Sequence, residues 1–302
     1  MVKSENNEYE VIILGSGPAG LQAAIHASRA KVSVLVMGRP EQSSIYGAHI
    51  ENYCCLDNIS GEVLLKQGLS QAKNFGTEFI EEDVIETSIE DSWFIVKSES
   101  GNLYKSRSII FTIGIKRKNL NVPGENSFRG NGVSYCVDCD AGFYKNRPVV
   151  IVGDGSAAVS GALTMSSYTD TVHLVSNKIA VSEVLEKQLR ESKITIHEGA
   201  KVAEIAGDKS VEEVIFADGT SVSADGVFIE LGAKEAMELG GILGVEMNEN
   251  LKHIKTNKKQ ETSVPGLYAA GDITGPPWQI AVAVGEGCIA GLEASKYAKK
   301  FR

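Results

Sequence analysis

The chain is 302 residues long with 43% hydrophobic and 23% charged residues, the balance of a soluble globular protein of two domains. Its net charge of -9 would repel a phosphate backbone, and no arginine-rich or aromatic-basic stretch offsets that charge, which excludes nucleic acid as a partner. Met1 to Glu10 is polar and acidic, and no run of about 18 apolar residues occurs to span a bilayer, so a cytoplasmic protein without a membrane segment is expected.

Val11-Ile12-Ile13-Leu14 is a short apolar run that ends in Gly15-Ser16-Gly17-Pro18-Ala19-Gly20. Leu21 to Ala30 then carries helix formers toward a second run, Val32 to Met37, which completes a βαβ unit. Gly15 permits the tight turn, Gly17 lets backbone approach a pyrophosphate, Gly20 allows close helix packing, and the helix N-terminus adds partial positive charge. Further on, Cys54 and Cys55 adjoin Glu51-Asn52-Tyr53 and read as packing residues. From Glu78 to Gly114 the chain turns β-rich, with Trp93-Phe94-Ile95-Val96 and Leu103-Tyr104 separated by the turn Ser100-Gly101-Asn102. This predicts a meander laid on the parallel sheet.

Five irregularly spaced cysteines do not make a disulfide framework, whereas Cys136-Val137-Asp138-Cys139 in a reducing compartment points to redox chemistry or a metal. Zinc would need two more ligands, and neither Cys54, Cys55 and Cys288 nor any histidine supplies them at ligand spacing, so no metal is expected. A thiolate is the nucleophile of disulfide exchange, two cysteines separated by two residues can close a small disulfide, and the adjacent Asp140 carboxyl can move the proton. Asp138 adds a negative charge that disfavours a thiolate unless it points away.

A second βαβ unit begins at Val149-Val150-Ile151-Val152 and passes through Gly153-Asp154-Gly155-Ser156-Ala157-Ala158. A helix from Ala157 and a strand near Thr171 to Val175 follow. Val211 to Phe216, the turn Ala217-Asp218-Gly219-Thr220, Val222 and Val227-Phe228-Ile229 repeat the meander, so two related nucleotide-type folds stand in tandem. After Gly232 the composition shifts to Gly and Glu. Val264 to Asp272 gives one more strand and turn that returns to the first domain. A helix from about Gln279 to Tyr297 closes it, with Cys288 as a core residue and Lys296, Lys299 and Lys300 suiting its dipole. His26, His49, His173, His197 and His253 are scattered, with no pairing that suggests catalysis or metal binding.

With both glycine turns and the Cys136/Cys139 pair in view, the whole chain resembles the low-molecular-weight flavoprotein thioredoxin reductases. Thr112-Ile113-Gly114, Val122-Pro123-Gly124-Glu125, Cys136 through Asp140, and Thr262 through Asp272 carry the resemblance in that family's order. It implies an α/β fold of two Rossmann-like, three-layer ββα domains. A discontinuous FAD domain would comprise residues 1–115 and 236–302, and an inserted NAD(P)H-domain-like domain, residues 116–235, would carry the redox disulfide. The implied FAD set is Gly15, Gly17, Pro18, Ala19, Gly20, Asn52, Thr112, Gly114, Gly271, Asp272, Gln279 and Ile280. Within it Asn52 lies beside the flavin, Asp272 contacts the ribityl chain and Gln279 sits near the isoalloxazine. Also implied are Cys139 facing the flavin, Cys136 exchanging with thioredoxin, Asp140 as acid/base, a large rotation of the inserted domain, and a homodimer.

The departures fall in the inserted domain. Asp154 is an odd occupant of an anion-binding turn. NADPH-dependent members carry a histidine-arginine-arginine cluster after the next strand, where this chain reads Ser176-Asn177-Lys178-Ile179 with Lys178 as its one cation. An NADH enzyme would place Asp or Glu where Ser176 stands. NAD(P)H is therefore not expected to bind, and reduced ferredoxin is the expected donor, since flavin accepts single electrons. Gly275-Pro276-Pro277-Trp278-Gln279 and Gly285-Glu286-Gly287-Cys288 resemble the ferredoxin-dependent flavin thioredoxin reductases. Lys116-Arg117-Lys118, Lys258-Lys259 and Lys296 to Arg302 are either a docking face for that acidic protein or solvated surface. Trp278 either stacks near the flavin or fills the closing-helix interface, and Tyr297 and Phe301 either cover the flavin or belong to a frayed tail. Two rival readings stay open: an NAD(P)H-dependent thioredoxin reductase with an atypical nucleotide site, and a non-catalytic flavin redox sensor or scaffold.

Overall fold

The computed structural model describes residues 7–115, 119–231, 239–241, 243–248 and 253–302. The chain divides into two units, one of Met1–Ser98, Asn102–Lys116 and Glu235–Arg302, the other of Glu99–Gly101 and Arg117–Lys234. The Lys116-Arg117-Lys118 cluster, the expected boundary positions 116, 235 and 236, and the composition shift at Gly232 lie outside the described residues.

The first unit opens with β1 (Glu8–Leu14), α1 (Pro18–Arg29) and β2 (Val34–Met37), followed by the hairpin β3 (His49–Ile50) and β4 (Ile59–Ser60), then α2 (Gly61–Asn74) and β5 (Glu78–Ile80). Next come β6 (Val84–Glu90), β7 (Trp93–Ser98) and β8 (Leu103–Phe111). β1 is apolar without alternation because both its faces are covered: Val11 and Ile13 pack with the helices, while Ile12 and Leu14 pack on the meander side. Strands β5, β2, β1 and β8 are parallel, and β8, β7 and β6 continue antiparallel. Hence β5 and β8, both read from sequence as meander, belong to the parallel sheet. The β6–β7 turn is the two-residue Asp91-Ser92, with φ of 47° and 65°, the left-handed pair that matches the twist of a hairpin.

The second unit contains β9 (Val133–Ser134), α3 (Val137–Asp140), β10 (Val149–Val152), α4 (Ser156–Met165), β11 (Val172–Ser176), α5 (Glu183–Arg190) and β12 (Thr195–Glu198). It continues with β13 (Val202–Gly207), β14 (Val211–Phe216), β15 (Ser221–Ser223) and β16 (Gly226–Ile229). Its parallel sheet runs β12-β11-β10-β16-β9, and β13-β14-β15 form a separate antiparallel layer. Val149, Ile151, Leu174 and Phe228 face Ala158, Val159 and Ala162 of α4 and Leu185 and Leu189 of α5. Val150, Val152, Val175, Val227 and Ile229 face Ile205, Val214 and Phe216 of the antiparallel layer. The result is the expected three-layer ββα arrangement, except that Val227-Phe228-Ile229 joins the parallel sheet rather than the meander.

The chain then returns to the first unit. β17 (Leu267–Ala269) adds in parallel to Ile109–Phe111 of β8, and α6 (Ile280–Ala298) packs against α1. That packing requires small residues, since a Cβ at Gly287 would lie 2.2 Å from the Ala19 carbonyl oxygen and one at Gly291 2.4 Å from that of Ala23. The tail corrects both readings given to it. Phe301 and Tyr297 pack as tilted rings with centroids 5.5 Å apart, the Arg107 guanidinium lies 4.9 Å from the Phe301 ring, and Arg302 binds Glu10 at 2.7 and 3.0 Å. Tyr297 also closes on Gly266, ahead of β17. These contacts hold the tail at the opposite end of β1 from the glycine turn, so it is neither frayed nor a cover for that turn. They also occupy part of its charge: Lys296 pairs with Glu293 and Arg302 with Glu10, while Lys299 and Lys300 are exposed. Lys258 and Lys259 are exposed. No described helix is long and apolar enough to cross a membrane.

Candidate redox site

In the first unit the glycine turn is held by sterics. Gly15, at φ +109°, sits so close to the next strand end that a Cβ would lie 2.5 Å from the Thr112 carbonyl oxygen, and a Cβ at Gly20 would lie 1.9 Å from that of Gly15. The Thr112 hydroxyl donates to the Leu14 and Gly15 carbonyls at 2.8 and 3.0 Å, tying β8 to the turn. Gly17 is different: the nearest atom to an added Cβ is the Ser43 hydroxyl at 3.4 Å, so its outer face is open. Pro18 begins α1, whose N-terminus has no side-chain cap and no acid in its first turn. Ala19 lies under Gly271, where an added Cβ would meet its own Cβ at 3.0 Å. The turn, Thr112 and Gly271 are thus brought together.

Asp272 follows in a half-buried 3-10 turn, and burial pushes its carboxyl above the ordinary value of 3.8. Among the described residues its side chain has no hydrogen-bond partner. An orphaned carboxylate beside an open glycine turn and an uncapped helix end fits a dinucleotide with polyol hydroxyls, as FAD carries. Asn52 donates to the Gln279 amide oxygen at 3.2 Å, joining two more expected residues, and Gln279 precedes Ile280, the first residue of α6. Gly114 lies two residues beyond Thr112 at φ +69° with open space around it. Trp278 is 54% exposed with the His253 ring at 6.4 Å, so it does not fill the closing-helix interface. Cys54 and Cys55 are exposed, which overturns their reading as packing residues, and Cys288 is half-buried on α6.

In the second unit a disulfide joins Cys136 and Cys139 across the start of α3. Cys139 N donates to Cys136 Sγ at 3.2 Å, a contact that favours a thiolate on Cys136 once the bond opens. Two residues absent from the sequence reading hold this turn. Ser134 Oγ donates to Asp140 Oδ2 at 2.7 Å and accepts from Cys136 N at 3.1 Å, linking the expected proton carrier to the first cysteine. Glu230, only 5% exposed, accepts from the buried Val137 N at 2.9 Å. Its signal was present: Glu230 ends the apolar run Val227–Ile229 as Thr112 ends Ile109–Phe111, each against the first glycine of a turn. Asp138 is exposed. Burial, and then the Asp140 carboxylate, raise the pKa of Tyr144, which packs edge-on against Phe228 at 5.2 Å.

The second glycine turn keeps the close approach, with a Cβ at Gly153 falling 2.0 Å from the Glu230 carbonyl oxygen. Its chemistry differs. Asp154 Oδ1 accepts from Ser176 Oγ at 2.9 Å and from Asn177 N at 2.7 Å, so the carboxylate is latched to the end of β11. Glu198, paired with Ser176 across the β11–β12 register, accepts from Ile179 N at 3.4 Å. Arg190, which reaches Glu198, is shared between Glu186 and Glu198 at 2.7 and 3.3 Å. On the same two strands His173 Nδ1 and His197 Nε2 lie 3.0 Å apart, a pairing the sequence reading did not find. Burial lowers both pKa values below 6.5.

The sequence profile of the family described as pyridine nucleotide-disulphide oxidoreductase matches residues 9–287. A thioredoxin reductase of Listeria innocua serovar 6a is 35% identical, with 99% of this chain and 97% of that protein aligned. Among solved structures, the atypical thioredoxin reductase TRi of Desulfovibrio vulgaris Hildenborough superposes with a TM-score of 0.84 at 32% identity, covering 96% of this chain and 98% of that one. A ferredoxin-flavin thioredoxin reductase of Clostridium acetobutylicum gives 0.69 at 31% identity, covering 97% and 98%.

Proposed function

Because this chain belongs to the pyridine nucleotide-disulphide oxidoreductase family, we propose that it is a flavin-dependent thioredoxin reductase that takes its electrons from reduced ferredoxin rather than from NADPH or NADH. One observation carries the choice of donor: the Asp154 carboxylate bonded to Ser176 Oγ and Asn177 N. The groups at a strand end that would receive an adenosine ribose are thereby occupied, and a negative charge stands beside a turn that would have to hold a diphosphate. Lys178 alone is a weak replacement for a cluster of arginines.

Gly15, Gly17, Pro18, Ala19, Gly20, Thr112, Gly114 and Gly271 would form the FAD cradle, with Asp272 accepting from the ribityl hydroxyls and Asn52, Gln279 and Ile280 at the ring end. Bound there, FAD supplies the two electrons that open the disulfide. The Cys136 thiolate then attacks a thioredoxin disulfide sulfur, and the thiolate that leaves takes a proton from Asp140, whose carboxyl Ser134 steadies. The Cys139 thiolate attacks Cys136 Sγ of the mixed disulfide, which closes the Cys136–Cys139 bond and releases the second thioredoxin sulfur as a thiolate that takes its proton from solvent, giving dithiol thioredoxin.

Anaerobic titration of the yellow oxidised protein tests the donor. Reduced ferredoxin is expected to bleach the flavin, and NADPH and NADH to leave it unchanged. Rapid bleaching by either nucleotide at micromolar levels overturns the proposal. The second reading, an NAD(P)H-dependent enzyme, is favoured by the plain name thioredoxin reductase of the Listeria relative, and that bleaching is the result it requires.

A further inference from the structure

Cys54 and Cys55 lie in the loop between β3 and β4, both exposed and both free thiols. Their sulfurs are 3.5 Å apart. Adjacent side chains ordinarily point apart, and what turns this pair to one side is Cys55 at φ +70°, a left-handed conformation that costs a non-glycine residue on the order of 1–2 kcal/mol. We infer that Cys54 and Cys55 form a chelating site for a thiophilic trivalent metalloid, of which an organoarsenical is the simplest case.

The bite selects the guest. A direct disulfide requires sulfurs ~2.05 Å apart, so a 3.5 Å gap accommodates one interposed atom. With bonds to sulfur of ~2.3 Å, sulfurs 3.5 Å apart subtend roughly 100° at that atom, whereas a linear two-coordinate metal needs them ~4.6 Å apart. Among the described residues no group of three or more His, Cys, Asp or Glu side chains could hold a metal, so four-coordinate zinc lacks its ligands. A pyramidal trivalent arsenic needs only two thiolates, because it brings its own third substituent, and soft sulfur is its preferred ligand type. With phenylarsine oxide the reaction balances without redox change: two S–H bonds and the arsenic–oxygen bond break, two arsenic–sulfur bonds form, and one water leaves.

Oxidised protein isolates the site, since Cys136 and Cys139 are bonded to each other and Cys288 stands half-buried on α6. The experiment uses protein whose unfolded form titrates the three free thiols, treated with phenylarsine oxide and followed by intact mass. Expected is one phenylarsenic adduct per chain that survives excess glutathione and is removed by the dithiol 2,3-dimercaptopropanol. Cys54→Ser and Cys55→Ser should each weaken binding at least 100-fold, and Cys288→Ser should leave it intact. Absence of the adduct, its removal by glutathione as readily as by the dithiol, or its persistence in either Cys54→Ser or Cys55→Ser overturns the inference.

Discussion

Removing the Asp154 carboxylate should make the second glycine turn bind a nicotinamide dinucleotide better while making the protein less stable. Asp154→Ala deletes the acceptor of two hydrogen bonds, from Ser176 Oγ at 2.9 Å and Asn177 N at 2.7 Å. Hydrogen bonds to a charged group are worth about 1.5–3 kcal/mol each, but Asp154 and Asn177 are exposed and water replaces part of the loss, so about 1–2 kcal/mol of stability should go. The opposite effect falls on the ligand. A unit charge roughly 5 Å from the carboxylate is repelled by about 1 kcal/mol at a water-like dielectric and about 3 at an effective dielectric near 20. Because Asp154 is exposed, the lower figure applies, about 1 kcal/mol for each of two phosphate charges. That total of about 2 kcal/mol corresponds to roughly 30-fold tighter binding, shrinking as salt is raised.

Calorimetric titration of NADPH and NADH into wild type and Asp154→Ala, with urea unfolding of both, reads the two quantities separately. A variant that loses stability on this scale with unchanged nucleotide affinity would refute the reasoning, because the latch would then be structural and the barrier to nucleotide would lie elsewhere. A wild type that already binds NADPH at micromolar concentration would refute it more directly.

Glu230→Leu should cost at least about 1–3 kcal/mol, since it leaves the buried Val137 N–H without its acceptor, and Glu230→Gln should restore most of that in a urea titration. His173 and His197 have folded pKa values below 6.5, so the unfolded chain binds more protons below that pH and stability should fall as pH drops from 6.5 toward the folded values. The slope is at most about 1.4 kcal/mol per pH unit for each ring, reduced by their partial exposure, and a His173→Asn/His197→Gln double variant should flatten it in melts taken across that range. Asp272 has the opposite sign among acids: its folded pKa is raised, so its charge costs the cofactor-free protein stability above 3.8 as pH rises toward the folded value. Asp272→Asn should therefore raise the melting temperature of the cofactor-free form at neutral pH, and should weaken FAD about tenfold in a fluorescence titration by losing a charged acceptor.

The sequence shows the glycine turns clearly because their requirement is steric: only glycine tolerates backbone at 2.5 Å from a would-be Cβ, as at Gly15. The apolar runs around them were equally plain, since a strand covered on both faces cannot alternate. Ser134 and Glu230 carry no such pattern, being single polar residues whose meaning depends on which amide the fold brings opposite. α5 was legible and passed over, with Ser182 accepting from Leu185 N as its cap and Leu185 and Leu189 four apart on the buried side. β12 was harder, because Thr195, Ile196, His197 and Glu198 are none of them buried and three are polar. Cysteine is usually a buried residue, and that prior misread Cys54 and Cys55, whose loop exposes both. The tail was misread for a related reason: Arg302 looks like a solvated terminus until the fold brings Glu10, nearly the whole chain away, to its guanidinium.

Comparing the two turns within one chain separates what the fold needs from what a ligand needs. Both keep their first glycine under a strand end, Gly15 under Thr112 and Gly153 under Glu230, because the backbone crossing leaves no room for a side chain. Backbone sterics therefore cannot say whether either turn holds a nucleotide. The positions that are free to vary can. After Gly15 stands Ser16, and Asp272 nearby has no hydrogen-bond partner for its side chain among the described residues. After Gly153 stands Asp154, whose charge is held in place by the donors a ribose would have used. On the proposed reading the second turn keeps its glycines for packing, and the reversed electrostatics around it are what that reading requires.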